Sequence, residues 1–314
     1  MKADTCAAFV LAAALLLPAC SGKAPDPYTD DKPTSGRVVL IADQGMRPML
    51  ERQEQVFESF YAKADVDIRY MNAAELMRAL MDDTVRCAFG SVLPGGDQEA
   101  WLKGRQRVAR IIPLCTDAVV VLANKQRDLQ ALALPTLKAL LRAGEGRPTW
   151  AAIDSGSTAQ VSLVFDGAGS GVARTLADSL FGGQAVTLSG RTEADVAAVV
   201  ARVVADPNSL GLVPFASLSD LDDPAMRALR GQVDLVALSP TADLAAAVKP
   251  SQGTLADGRY PLRRRLYAVL TEPKSGLGTG FVSFVAGHKG QRIILKQGLA
   301  PQQVPARDVE IVQP

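Results

Sequence analysis

Val161 to Leu176 reads VSLVFDGAGSGVARTL, a strand signal that runs through a glycine-rich turn straight into a helix signal. Val161, Leu163, Val164 and Phe165 form a short apolar run of buried-strand type, and Ser170 stands where a helix cap belongs. Repeated, such a unit builds a mainly parallel sheet covered by helices, with ligand chemistry at the carboxyl ends of the strands. A helix start presents unpaired backbone N–H groups and the positive end of its dipole. Ser170 Oγ and the amides of Gly171 and Val172 would therefore make an oxyanion cradle. Gly167, Gly169 and Gly171 let a ligand approach the backbone closely, and Arg174, one turn along, carries a guanidinium suited to bidentate oxyanion contact. The competing reading is that Ser170 only caps its helix and Arg174 is a solvated charge. Two enzyme readings fail by spacing. A dinucleotide fingerprint needs a third glycine where Val172 stands, and a nucleophile elbow around Ser170 needs glycines where Ala168 and Val172 stand.

The same alternation extends in both directions. Val38 to Ala42 is a short apolar strand, and Pro48 to Tyr61 carries a helical stripe of Met49, Leu50, Val56, Phe57, Phe60 and Tyr61. Val66 to Tyr70 returns as a strand, Asn72 to Glu75 has the form of a capping box opening a helix, and Val85 to Phe89 is again extended. Beyond Ala118 the pattern restarts: Val119 to Leu122 as strand, Pro135 to Ala143 as helix with Gly144 past its end, then Val161 to Phe165 as strand. Ser170 to Phe181 and Thr192 to Ala205 are predicted helices, Leu210 to Phe215 and Leu266 to Leu270 strands, and Phe281 to Gln297 one late helix.

Composition narrows the function. The chain has 314 residues, enough for two lobes of about 150 residues each. With 48% AVILMFWYC and 21% DEKR it has ample apolar surface for buried cores. Its 34 Lys and Arg against 33 Asp and Glu leave no basic footprint for nucleic acid. One histidine and four cysteines without a C-x-x-C exclude the common zinc arrangements and leave little for histidine-based catalysis. His288 reads as a surface residue, and no metal or cofactor is expected. Function should rest on binding rather than on breaking a bond.

Lys2 precedes an apolar run from Cys6 to Leu17, the plan of a secretory signal peptide over residues 1–19. Leu17-Pro18-Ala19-Cys20 resembles the bacterial lipobox, which makes Cys20 a lipidated mature N-terminus. Residues 20–36, rich in Pro, Gly, Ser and Asp, read as a flexible tether. A periplasmic or other extracytoplasmic body held to a membrane by lipid alone follows. Export leaves Cys87 and Cys115 open to two readings, a disulfide or two buried thiols.

A family resemblance rests on further segments. Asp257 to Leu262 (DGRYPL) followed by Arg263 to Leu270 (RRRLYAVL), and Gly280 to Pro301 with its G-x-x-P end, resemble the PstS-like, phosphate-binding branch of ABC-transporter substrate-binding proteins. Cys115 to Lys125, Pro135 to Gly144 and Asp206 to Pro214 are similar to it as well. The resemblance implies the type II periplasmic-binding fold: two α/β lobes, each a mainly parallel sheet flanked by helices, joined by two crossover strands. Lobe one would comprise residues 37–117 plus 266–314, and lobe two residues 118–265.

The family's Ser-Gly-Thr helix start corresponds to Ser170-Gly171-Val172, with the threonine hydroxyl lost. Its arginine four residues before that serine corresponds to Asp166, a reversal of sign that should repel a dianion. The start of its first helix corresponds to Asp43 to Pro48, where Gln44, Gly45, Met46 and Arg47 are left to meet a ligand. Ser91 falls at the end of the third strand, and Asp117 at the crossover. Asp117 could accept a hydrogen bond from a protonated ligand or pair with a nearby arginine. Arg263-Arg264-Arg265 reads as a solvated edge. The function implied is a monomeric, lipid-anchored solute-binding protein that delivers a small inorganic oxyanion, phosphate above all, to an ABC permease and its ATPase. The alternative is a lipid-anchored scaffold or sensory protein of the same fold that has lost transport.

Overall fold

Val38, Val39, Leu40 and Ile41, apolar and mostly β-branched, form the middle of β1 (Gly36–Asp43). The protein is described by a computed structural model that covers residues 31–82, 85–142, 149–154, 157–184, 187–272 and 275–304. The expected signal peptide, Cys20 and the first part of the tether lie outside the described residues. After β1 the predicted stripe is α1 (Arg47–Phe60), which buries Met49, Leu50 and Phe57. Next come β2 (Ala64–Met71) and α2 (Ala73–Met81). The capping box is formed: Asn72 Oδ1 accepts from the amides of Ala74 at 3.1 Å and Glu75 at 2.9 Å, and Glu75 Oε2 accepts from Asn72 N. β3 (Cys87–Gly90), α3 (Gly96–Gly104) and the 14-residue β4 (Arg110–Ala123) complete the first half.

The second half runs through β5 (Ala131–Ala133), α4 (Leu134–Leu141), β6 (Ser162–Phe165) and α5 (Gly171–Phe181). It continues with β7 (Arg191–Thr192), α6 (Val196–Ala205), β8 (Ser209–Pro214) and α7 (Pro224–Arg230). Then follow β9 (Asp234–Leu235), β10 (Ala237–Ser239), α8 (Gln252–Ala256) and β11 (Arg263–Leu270). α9 (Leu277–Ala286), α10 (His288–Lys296) and β12 (Ala300–Pro301) close the described chain. No helix among the described residues is long and apolar enough to cross a membrane.

The main sheet runs β2-β1-β3-β11-β4-β8-β6-β7, with β9 and β12 also on β4. β1 is parallel to β2 and β3, and β6 is parallel to β7 and β8. These are the cores of two α/β lobes. β4 and β11 run between them antiparallel to each other: Arg110 to Ala118 of β4 pair with β11, while Val119 to Ala123 pair with β8. Tyr260 is fully buried beside this junction, and its hydroxyl donates to Val119 O at 3.0 Å. The DGRYPL segment thus pins the point where β4 passes from one lobe to the other.

Two readings of the sequence are adjusted and one left open is decided. The late helix is two helices, because the chain turns extended at Gly287 (φ −82°, ψ 175°), where a Cβ would stand 2.8 Å from Ser283 O. The helix read from Thr192 begins four residues later: Asp195 Oδ1 caps it by accepting from Ala198 N at 2.8 Å, and Thr192 belongs to β7. Cys87 and Cys115 are buried free thiols, not a disulfide. β11 lies between them, pairing Leu270 with Cys87 and Leu266 with Cys115. Two strand spacings already separate them by about 10 Å, beyond a disulfide's reach of about 7 Å between Cα atoms. Cys115 Sγ donates instead to Met49 Sδ at 3.7 Å.

Candidate ligand-binding cleft

The ends of β1 and β3, the start of α5 and the two connecting strands converge between the lobes. On β11 burial alternates from Arg263 to Leu266, so Arg264 points inward, in phase with Leu266 and Ala268, while Arg263 and Arg265 stay in solvent. Arg264 pairs in register with Asp117 of β4, and the two side chains are 2% and 0% exposed. Arg264 Nε donates to Asp117 Oδ2 at 2.9 Å, and Nη2 lies 2.8 Å from the same oxygen but off the hydrogen-bond direction. Asp117 Oδ1 accepts from Ala216 N at 2.9 Å. Burial pushes the Asp117 carboxyl up, against the pull of Arg264 and the amides of Ala118 and Ala216. For Arg264, burial works against the charge, but Asp117, Asp43 and Asp166 hold the guanidinium protonated.

The guanidinium is wedged between two glycines. A Cβ on Gly45 would stand 3.0 Å from Nη2, and a Cβ on Gly171 3.0 Å from Nη1. The same Cβ on Gly171 would stand 2.3 Å from Asp43 Oδ2, so the carboxylate that ends β1 lies against the first residue of α5. Asp43 is 2% exposed; its Oδ1 caps the following turn by accepting from Gly45 N at 2.8 Å, and its Oδ2 is buried without a partner.

Ser170 caps α5 with a long contact, its Oγ accepting from Ala173 N at 3.4 Å. Positive φ angles at Gly167 (138°) and Gly169 (70°) carry the chain from β6 into this cap, a path few other residues could follow. The turn touches the opposite lobe directly, since Ala73 N donates to Gly169 O at 3.2 Å. Asp166, the last residue before the turn, is 5% exposed, and its Oδ1 has no partner. Burial raises its carboxyl to about 6, opposed by hydrogen bonding from Ser170 and by Arg264 and reinforced by Asp43.

Cavities open on both sides of this centre. One of about 260 Å³ is lined by Asp43, Tyr70, Asn72, Glu75, Asp166 and Ser170, with no Lys or Arg in its wall. Another of about 250 Å³ is lined by Ser91, Thr175, Ser179, Arg264, Arg265 and Tyr267 together with Asp178. A third, of about 790 Å³, sets Arg47 and Arg52 against six carboxylates.

The residues singled out in the sequence separate into groups. Gly45, Asp117, Ser170 and Gly171 meet at the centre. Gln44 and Arg47 line the 790 Å³ cavity, where Arg47 pairs with Glu51 at 3.2 Å and lies 4.1 Å over the Tyr70 ring. Ser91 is half-buried, with its Oγ enclosed and unpartnered. Met46 and Val172 are apolar core residues, 0% and 1% exposed. Arg174 is on the surface, where its Nε donates to Asp178 at 3.0 and 3.1 Å. Arg264 and Asp43 are the central side chains that the sequence reading missed. The signal for Arg264 was the strand alternation of RRRLYAVL, which puts the middle arginine on the face of Leu266. Among the described residues no group of His, Cys, Asp and Glu is placed to hold a metal ion.

Two α/β lobes that meet over a polar cleft, joined by a pair of antiparallel strands, have the architecture of the type II periplasmic-binding-protein fold. The chain belongs to the PBP superfamily, whose domain matches residues 29–289. Solved structures agree. One is a protein from Clostridium perfringens described as a phosphate ABC transporter substrate-binding protein with bound phosphate. It has a TM-score of 0.69 at 16% identity, over 85% of this chain and 100% of that one. Another is an ABC-type phosphate transport receptor from Vibrio cholerae, with a TM-score of 0.64 at 12% identity, over 84% of this chain and 99% of that one. At these identities the likeness establishes the fold. No curated protein matches the chain in sequence.

Proposed function

We propose that the chain is the solute-binding component of an ABC importer, working outside the cytoplasm as a monomer and taking a small oxyanion between its lobes. The observation that carries this reading is Arg264: a guanidinium buried between the lobes whose Nη1 has no hydrogen-bond partner. Such a donor is best matched by a charge-assisted contact to an oxyanion. Ser91, whose Oγ is enclosed and unpartnered, lines the same 250 Å³ cavity as Arg264, and the start of α5 adds the positive end of its dipole to the neighbouring 260 Å³ cavity, which Ser170 lines. Similarity to proteins described as phosphate receptors makes inorganic phosphate the ligand to test. Asp43, Asp117 and Asp166 surround the guanidinium, so the site suits an oxyanion that carries a proton and can donate to a carboxylate.

In this reading the lobes are residues 37–117 with 266–314, and residues 118–265. They hinge on β4 and β11, and ligand selects the closed form for a permease and its ATPase. Residues 1–19 direct export, and lipid on Cys20 holds the tether, residues 20–36, to the membrane. The test is calorimetry and thermal shift with phosphate. Binding is expected, and Ser170→Ala should weaken it by about 1–3 kcal/mol through loss of a polar contact at the start of α5. No heat and no melting shift at millimolar phosphate overturns the reading.

One observation favours the scaffold or sensory alternative. The Asp43 carboxylate already stands against Gly171, and the lobes touch through Ala73 and Gly169. In that case small-angle scattering would give one compact shape whether or not phosphate is added.

A further inference from the structure

We propose that the end of the first lobe remote from the cleft is a docking surface for the phospholipid headgroups of the membrane that anchors the chain. The inference deepens the anchored reading above and rests on it. Its first basis is the stretch Trp101 to Ile111 (WLKGRQRVARI), which has four basic residues and no acidic one. Three large apolar side chains stand in solvent along it: Trp101 is 37% exposed, Val108 68% and Ile111 37%. Arg105 lies over the Trp101 ring, its guanidinium carbon 3.6 Å from the centroid, and Lys103 is exposed beside them. Lys103 and Arg105 suit the carboxyl end of α3, which explains their charge but not the exposure of Val108. A headgroup layer accommodates all of it: the indole and the aliphatic side chains enter the interface, and the cations meet lipid phosphates.

The second basis is where the tether joins the body. From Asp31 onward the chain is seated on α9. Asp31 Oδ1 accepts from Leu277 N at 2.6 Å and so caps that helix, and a Cβ on Gly280 would overlap Pro33 O. Gly36 N donates to Lys63 O at 2.9 Å. Two residues along α9 from Leu277, Thr279 Oγ1 accepts from Arg110 Nη2 at 3.4 Å, so the tether meets the body beside the basic stretch. Two acids at this end, Asp31 and Glu272, are engaged locally, by Leu277 N and the Thr279 hydroxyl. Ten residues separate Cys20 from Asp31, and fully extended they span no more than about 40 Å. So short a link keeps the surface beside Asp31 close to the bilayer. It makes the contact with lipid effectively intramolecular, for which a weak patch suffices.

The strands set the orientation. Arg110 opens β4, and Asp117 on the same strand reaches the cleft, where it pairs with Arg264. At about 3.3 Å per residue, about 23 Å of strand separates the two. A body seated on lipid by this end stands with β4 rising from the membrane and the interlobe cleft clear of it.

The test uses the exported chain, residues 20–314 with Cys20→Ser, and vesicles of phosphatidylglycerol or of phosphatidylcholine. Of the two tryptophans, Trp150 is 2% exposed, so acrylamide quenching reads Trp101. Phosphatidylglycerol is expected to sediment at least about tenfold more chain than phosphatidylcholine, to lose most of it in high salt, and to shield Trp101 from acrylamide. Lys103→Glu with Arg105→Glu should abolish the sedimentation and Val108→Ser reduce it, the melting curves verifying both folds. No sedimentation, or full sedimentation of the glutamate variant, overturns the inference. Shielding of Trp101 that grows with protein concentration in the absence of vesicles assigns the patch to a second copy and also overturns it. Mass spectrometry of the chain recovered from membranes separates this inference from the reading beneath it. Cys20 without lipid overturns both, whereas a lipidated Cys20 with no vesicle binding overturns the docking surface alone.

Discussion

Arg264 and Asp117 form a buried ion pair across the two strands that join the lobes, Nε to Oδ2 at 2.9 Å, with side chains 2% and 0% exposed. Removing one partner leaves the other charge without compensation in the interior. Asp117→Leu is expected to cost about 3–5 kcal/mol in urea unfolding, and Asp117→Leu with Arg264→Leu together much less than the sum of the two single leucine changes. Additive costs in that cycle would mean the two side chains act independently.

Asp166 should make stability fall as the pH rises. Burial pushes its carboxyl up to about 6 in the folded chain, above the usual aspartate value of about 3.9, so between these pH values the folded form holds the proton that the unfolded form has lost. The contribution is fully present below about pH 4, is lost progressively up to about pH 6 and is absent above, with a ceiling of about 3 kcal/mol. Urea midpoints from pH 4 to 7 should therefore decline more steeply in the native chain than in Asp166→Asn. Parallel curves would place the carboxyl in solvent.

Gly171→Ala tests how tightly the lobes meet. The added methyl would stand 2.3 Å from Asp43 Oδ2 and 3.0 Å from Arg264 Nη1, so one of these groups or the whole lobe must move. A loss of about 1–3 kcal/mol is expected, accompanied by a larger radius of gyration in small-angle scattering. An unchanged melting temperature and radius would show that Asp43 does not lie against α5.

Much of the fold was legible because its signals are local. Asn72 and Glu75 close a capping box within four residues, and Ser170 caps α5 at the position its glycine turn announces. The DGRYPL segment marks the crossover because Tyr260 has one place to donate, the carbonyl of Val119. The site was harder. Ser170, Gly171, Gly45 and Asp117 could be named from motif positions, but their meeting point depends on residues far apart in the chain. Asp43 was read as the edge of a motif and became central only because β1 and α5 converge. Arg264 was hidden in a run of three arginines, of which two are solvated. Arg174 looked suited to an oxyanion from its spacing, yet Asp178 four residues on gives it a nearer partner at the surface.

Arg264→Lys separates charge from geometry at the centre of the cleft. Lysine keeps the positive charge but replaces the planar fork by one rotatable ammonium on a shorter reach. It can satisfy Asp117 or turn towards a ligand, whereas arginine has donors for both, with Nε on Asp117 and Nη1 unpartnered near Gly171. Phosphate affinity is expected to drop about tenfold or more, equivalent to about 1.4 kcal/mol, and the melting temperature should fall because Asp117 loses a fixed partner. Calorimetry on the lysine variant reads the first effect and calorimetric melting the second. Full phosphate affinity in the lysine variant would mean that the ligand senses only a nearby charge, and the guanidinium would lose its place as the anion's direct partner.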